Sequence, residues 1–309
     1  MDFNDIYLFL MHVKGFGPKT IGKFLSQNLG NIADMMDLYN VLQEQFSNKK
    51  SIKLPDKNEF LTIQNRVQDI LEQTEADGEV IINYKDEHYP PQFLSLSDKP
   101  LLFFAKGNIS ALKRQGIAVV GTRAISPLGE KIGFRFGEVL SENGKTVIGG
   151  LAKGCDTAGH KGCLNKHGVT IAILGTPLNQ VYPKENVGLA RQILEANGCL
   201  ISEYPIGTPV TPYNFVKRDR LQCGLADGVI VVETGVNGGT MQAVHGAQQL
   251  GKPVGCFNYT EQHYVDYPHS LGNKKLIQDG YALALHDQKS IDDFLRRTEH
   301  CNDSELSLF

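Results

Sequence analysis

Gly116-Ile117-Ala118-Val119-Val120-Gly121-Thr122-Arg123 is the stretch that decides the fold. Four consecutive apolar residues between glycines are too few for a buried helix. With no polar residue among them, they read as a strand covered on both faces. The residues that follow are of another kind. Gly121 permits close backbone approach, Thr122 offers a hydroxyl, and Arg123 offers five donors in a planar fork suited to phosphate. The alternative for Arg123 is an ion pair with a local carboxylate. In an open α/β sheet, ligands bind outside the carboxyl ends of the strands, which is where Gly121, Thr122 and Arg123 fall.

The same kind of segment recurs along the chain. Short apolar runs at Val80–Ile82 and Leu101–Ala105 are followed by strand candidates at Thr146–Ile148, Val169–Leu174, Cys199–Ser202, Val229–Glu233, Val254–Phe257 and Tyr281–Leu285. Helical segments lie between most of them, which predicts a parallel sheet with helices on both faces over residues 76–298. In the predicted helix Leu128–Asn143, Gly129, Gly133 and Gly137 share one face that is expected to lie close to the sheet.

Residues 1–75 read as a small all-helical domain. Ile6, Leu8, Phe9, Leu10 and Val13 precede a Gly15-Phe16-Gly17-Pro18 turn, and Ile21, Phe24 and Leu25 follow it at helical spacing. This is a helix-hairpin-helix pattern, read either as a phosphate-facing turn or as a plain corner between two helices. The polar stretch Ser47–Lys57, with Pro55, is expected to separate two further helices. Residues 299–309 are expected to form a short, frayed polar tail.

Four more segments are expected on the sheet edge that carries Arg123. Gly149-Gly150-Leu151-Ala152-Lys153-Gly154 opens a helix, so its amides and Lys153 face whatever lies above the sheet. Asp156 and His160 follow one helical turn apart, as an acid/base pair or a plain surface hydrogen bond. Gly175-Thr176-Pro177 leads to Tyr182-Pro183-Lys184. In Asn214-Phe215-Val216-Lys217-Arg218-Asp219-Arg220 an aromatic precedes three cations, as a single-stranded nucleic acid requires: bases stack on the ring while cations hold the backbone. Glu233-Thr234 ends a strand, and Gly238, Gly239 and Thr240 open the next helix as a further amide nest.

Composition limits the alternatives. The 309 residues are 41% hydrophobic and 21% charged, as in a soluble protein with a real core, and the 32 glycines fit a chain of tight turns and close approaches. A net charge of −3 means that any basic surface must be gathered locally. The six cysteines contain no C-x-x-C pair and read as buried free thiols of a reducing compartment. Cys155 and Cys163 with His160 and His167 match no zinc spacing, so neither a metal nor another cofactor is expected. The amino-terminal residues are acidic where a signal peptide is basic, and no run approaches the roughly 20 apolar residues of a membrane helix. A cytoplasmic location without membrane contact is therefore expected.

Together these residues resemble the DprA/Smf family of DNA-processing proteins, from about residue 80 to 260. The resemblance includes His88-Tyr89-Pro90, Asp98-Lys99-Pro100, Gly121-Thr122-Arg123, the Gly150–His160 segment, Tyr182–Asn186, Ser202-Glu203-Tyr204-Pro205 and Asn214-Phe215, in family order and spacing. It implies an extended Rossmann-like fold, no enzymatic activity, and single-stranded DNA held in a basic pocket, protected and handed to a RecA-type recombinase by a homodimer. By position, Arg123, Lys184, Phe215, Lys217 and Arg218 correspond to the family's DNA-contacting motifs, and Gly121, Thr122, Lys153, Asn214, Arg220, Gly238, Gly239 and Thr240 complete the candidate contacts. The helical start looks like the family's common amino-terminal domain. Two departures stand out. The family's Pro-Arg-Arg-Asn-Arg is here Val216-Lys217-Arg218-Asp219-Arg220, which inserts an acid, and its Ser-Gly-Ser-like turn is Gly238-Gly239-Thr240. No room is expected for the winged-helix tail of some members. The Gly-Gly-Thr turn is similar to that of lysine-decarboxylase-like (LOG) nucleotide phosphoribohydrolases, the alternative reading, but Met241-Gln242-Ala243-Val244 lacks their catalytic Glu.

Overall fold

The computed structural model describes residues 1–260 and 267–306. Among these residues nine strands form one sheet: β1 (Glu79–Asn83), β2 (Leu102–Gly107), β3 (Gly116–Val120), β4 (Thr146–Gly149), β5 (Thr170–Leu174), β6 (Cys199–Ser202), β7 (Gly228–Val231), β8 (Val254–Phe257) and β9 (Leu283–Leu285). Their order is β1-β2-β6-β5-β4-β3-β7-β8-β9. From β6 to β9 every neighbouring pair is parallel. The expectation of a parallel sheet is corrected at one edge, where β1 and β2 are antiparallel to each other and β2 is antiparallel to β6. Residues 84–101 contain only a short 3-10 turn, Pro91–Ser95, and no crossover helix of the kind that would return β2 parallel to β1.

Eleven α-helices occur among the described residues. Four precede the sheet: α1 (Phe3–Met11), α2 (Pro18–Asn28), α3 (Met35–Phe46) and α4 (Lys57–Ala76). The others are α5 (Pro127–Glu142), α6 (Cys155–Asn165), α7 (Val187–Glu195), α8 (Pro212–Leu225), α9 (Thr240–Gln249), α10 (Leu271–Gln278) and α11 (Gln288–Leu306). Alternation along β3 divides the core between the two faces. Ile117 and Val119 pack with Phe136 and Leu140 of α5 and Phe294 of α11, while Ala118 and Val120 pack with Leu221 of α8 and Val244 of α9. Both faces of the strand are thus covered, and each fully buried Ile or Val contributes about 1.5–3 kcal/mol.

Four local features refine the sequence reading. Gly137 does lie on a buried face, but its missing side chain makes room for α6: a Cβ would stand 2.7 Å from the Cys163 nitrogen. Gly133 borders both Ala158 of α6 and Val232, so the glycine face serves a helix–helix crossing as much as the sheet. Tyr281 and Ala282 donate back to the Leu276 carbonyl, which delays β9 to Leu283. Finally, α11 continues to Leu306 through the stretch expected to fray, anchored by buried Phe294, Leu295 and Thr298.

The amino-terminal turn is a packed corner. Gly15 has φ +96, and a Cβ there would run into the Ser51–Ile52 backbone. Phe16 is buried with its ring 5.0 Å from that of Phe46. The helical core is continuous with the sheet, since Phe3, Phe9 and Leu38 join one cluster with Phe104, Leu174 and Leu189.

Candidate nucleic-acid interface

From β3 the sheet grows through β4, β5 and β6 on one side and through β7, β8 and β9 on the other. The carboxyl ends of β3 and β7 therefore flank a topological switch point, where doubly wound sheets open a ligand crevice. A cleft of about 860 Å³ lies there.

Its near wall is the loop after β3. The Thr122 N–H donates to the Glu233 carbonyl at 2.7 Å, the Thr122 carbonyl accepts from Cys155 N–H at 3.2 Å, and the buried Glu233 carboxylate accepts from Ser126 N–H at 2.7 Å. A Cβ on Gly121 would stand 2.7 Å from the Glu233 carbonyl oxygen, so glycine fits this point where bulkier residues do not. The pinned loop leaves Arg123 exposed, with its guanidinium 5.9 Å from the centre of the Phe215 ring. The Tyr182 ring stands 5.3 Å from Phe215, tilted by 49°. Gly175 makes this arrangement possible, because a Cβ there would be 2.8 Å from Phe215 Cδ1.

The floor is organised by Arg218, which is only 3% exposed. Its Nη1 donates to the carbonyls of Gly150, at 2.6 Å, and of Ile173, and its Nε donates to Asp219 Oδ1 at 3.1 Å. Gly150 has no side chain to obstruct that guanidinium. Asp156 accepts from Gly150 N–H at 2.7 Å, and burial pushes its carboxyl up to about 6 although Arg218 opposes the shift. Burial likewise raises Asp219, against the pull of Arg218. Asp156 and His160 do not form an acid/base pair. His160 is fully buried, its Nδ1 lies 2.6 Å from the Thr170 hydroxyl, and burial holds the imidazole down at about 3, a neutral structural ring.

Of the candidate contacts, Gly121, Thr122, Arg123, Phe215, Arg218, Gly238, Gly239 and Thr240 line the cleft, with Gly239 capping α9 on the far wall. Lys153 lines an adjoining recess and is paired with Glu185 at 2.5 Å across solvent. Lys184 and Lys217 lie outside the cleft lining, on the flanks of Tyr182 and Phe215. Asn214 is turned inward, accepting from the Thr211 hydroxyl at 2.7 Å and donating to the Pro209 carbonyl at 3.1 Å. Arg220 is held by both oxygens of Glu203 at 2.7 Å and by Asp98 at 2.7 Å. The sequence motifs include Tyr182 and Val216, which were not selected as contacts, and Gln222, Pro268 and His269 on the cleft wall were missed. The aromatic at 182 beside Lys184 was the available signal. Pro268 and His269 reach the wall from a loop beyond β8 whose position no local pattern encodes.

Five cysteines are buried free thiols, and burial raises Cys163, Cys199 and Cys223 to about 12. The Cys301 side chain lies outside the described residues. No group of three or more His, Cys, Asp or Glu able to hold a metal ion occurs among the described residues, and no helix there is long and apolar enough to cross a membrane.

Fold and cleft together define an extended Rossmann-like protein with an open cleft at the switch point. The chain belongs to the family of DNA recombination-mediator protein A, whose family model matches residues 80–297. It is 37% identical to Protein Smf of Escherichia coli over 69% of this chain and 56% of that protein. It is 35% identical to DNA processing protein DprA of Streptococcus pneumoniae over 68% of this chain and 72% of that one. The chain thus spans little more than half the length of the first relative. The crystal structure of the Streptococcus pneumoniae protein superposes with a TM-score of 0.75 at 28% identity, covering 94% of this chain and 98% of that one. DNA processing protein A of Helicobacter pylori, described for its single-stranded DNA binding mode, gives a TM-score of 0.62 at 25% identity over 71% of this chain and 96% of that one.

Proposed function

We propose that this chain binds single-stranded DNA largely without regard to sequence, protects it and presents it to a RecA-type recombinase. In this reading it acts in the cytoplasm as a homodimer and not as an enzyme. The observation that carries the proposal is the Phe215 ring on the cleft lining, with the Arg123 guanidinium 5.9 Å and the Tyr182 ring 5.3 Å from its centre. An aromatic face receives any base, and a cation beside it receives the phosphate that follows. The helix α9 that follows the Gly238-Gly239 turn carries no carboxylate to attack a glycosidic bond. The test is a fluorescence-anisotropy titration of a labelled single strand, competed by the same strand and by its matched duplex. The single strand is expected to compete far better, and equal competition would remove the proposal. Release of free base from nucleoside monophosphates by the same preparation would point instead to a nucleotide hydrolase.

A further inference from the structure

The cleft is too small for the strand it is proposed to hold. Its volume of about 860 Å³ lies within the roughly 300–1,000 Å³ that encloses one drug-sized ligand. Modules that bind single strands without sequence preference cover roughly 4–16 nucleotides. A bound strand must therefore leave the cleft and cross the neighbouring surface, and that surface is not uniform.

Exposed apolar side chains mark an interaction surface where they are contiguous, and Tyr213, at 70% exposure, is the most exposed large hydrophobic among the described residues. It stands in the first turn of α8, two residues before Phe215. Val216 and Lys217 follow at i+3 and i+4, on the same helical face as Tyr213. Val216 is 52% exposed and itself lines the cleft, so this face begins at the cleft wall and runs outward from it. The Lys217 side chain has no acidic partner among the described residues, whereas Arg220, one turn further on, is engaged by Glu203 and Asp98. Beneath the patch, Tyr204 donates its hydroxyl to the Asn214 carbonyl at 3.3 Å, and Asn214 bonds Thr211 and Pro209, which makes the start of α8 a fixed platform.

We infer that Tyr213 is a second base-stacking platform, and that with Lys217 it carries single-stranded DNA out of the cleft along the outer face of α8. The inference rests on the cleft being the DNA site. A docking surface for protein is the competing occupant of an exposed aromatic and valine. The unpaired Lys217 and the continuity with the Arg123–Phe215 platform favour a polyanion with stacking bases.

The test compares a four-residue and a twelve-residue oligothymidylate on the wild-type chain and on Tyr213→Ala, Tyr213→Phe and Phe215→Ala. Tyr213→Ala is expected to weaken the longer oligomer about 5-fold or more and the shorter one less than about twofold. Tyr213→Phe is expected to bind both as wild type, and Phe215→Ala to weaken both. Because the ring is exposed, the melting temperature of Tyr213→Ala is expected to stay at the wild-type value. Wild-type affinity of Tyr213→Ala for the longer oligomer overturns the inference and leaves the cleft reading standing. So does a change in self-association with DNA binding intact, which assigns the patch to protein. Failure of the wild-type chain to bind either oligomer removes both readings.

Discussion

Two sets of cations border one cleft in opposite surroundings. Arg218 and Arg220 face into the protein. The first grips two carbonyls and a carboxylate at 3% exposure, and the second is forked onto Glu203. Arg123, in the loop after β3, and Lys184, which opens a 3-10 turn in the connection after β5, are exposed. In the sequence the inner pair looks the more typical of a nucleic-acid site, since it lies in the densest run of positive charge. In the fold that run is divided by burial: Arg218 and Arg220 are packed against protein groups and must find partners there, whereas the side chain of Lys217 beside them has no acidic partner among the described residues. Cations that build a site and cations that remain open to a ligand are therefore separated by burial, which charge patterning does not report. Four measurements press on this division.

The largest effect is expected at Arg218. Replacing it with Ala removes a donor from the Gly150 and Ile173 carbonyls and takes from Asp156 and Asp219 the cation that acts most strongly on each. Removal of one partner from a buried ionic cluster costs about 3–5 kcal/mol. Thermal and denaturant unfolding of Arg218→Ala are expected to show that loss, with DNA binding lost only as the fold is lost. A variant that melts as wild type yet fails to bind would move Arg218 to the open set.

Phe215 comes next. Its ring is half-buried, so Ala substitution is expected to lower the melting temperature less than Arg218→Ala does. Its stacking contribution is about 1–3 kcal/mol, a loss of roughly 5- to 150-fold in affinity. Stacking releases no counterions, so the dependence of affinity on salt is expected to stay at its wild-type slope. A changed slope at constant stability would mean that Phe215→Ala acts through Arg123, whose guanidinium it supports.

Much of this site was legible because it is made of backbone. Gly121, Gly150, Gly175 and Gly239 end strands or open helices, and a residue without a side chain beside a buried apolar run marks close approach wherever it occurs. The strands were legible for a related reason, since burial on both faces leaves few polar residues in the central ones, such as Thr146, Thr170 and Ser202 at their ends. The antiparallel turn-back of β1 and β2 was not, because an apolar run carries no sign of its direction. Nor was the inward turn of Asn214, whose side chain ties the start of α8 to Thr211 and Pro209, or the arrival of His269 at the wall. Those depend on how separate segments meet.

Asp156 sharpens the comparison from the acidic side. Its carboxyl is raised from 3.8 to about 6, by burial above all. The folded state therefore holds a proton that the unfolded chain releases between those values. The associated stabilisation is complete below the unfolded value and is lost as pH rises through about 6. Protonation also removes a negative charge from the cleft that Arg218, Asp219 and His269 share. Affinity for DNA is expected to rise severalfold from pH 7.5 to 5.5, and the rise is expected to shrink in Asp156→Asn, which keeps an acceptor oxygen for Gly150. An identical pH profile in both proteins would exclude Asp156 as the source of the rise.

The smallest effect separates the two sets most directly. Each lysine or arginine that neutralises a phosphate of a single strand releases counterions and adds roughly 0.7 to the slope of log affinity against log salt. Arg123→Ala and Lys184→Ala are each expected to lower that slope by about 0.7, which between 50 and 200 mM salt amounts to a change of only two- to threefold in relative affinity. Arg220→Ala is expected to leave the slope alone and lower the melting temperature, because its charge is already matched by Glu203 and Asp98. Lys153 is the intermediate case: it pairs with Glu185, but both side chains are more than half exposed, and such pairs contribute only about 0–1 kcal/mol. A phosphate competes readily with a partner held so weakly, so Lys153→Ala is expected to lower the slope by less than Arg123→Ala, and Glu185→Gln to raise wild-type affinity slightly. If Arg220→Ala lowers the slope as far as Arg123→Ala without loss of stability, the division between building and open cations fails at that residue.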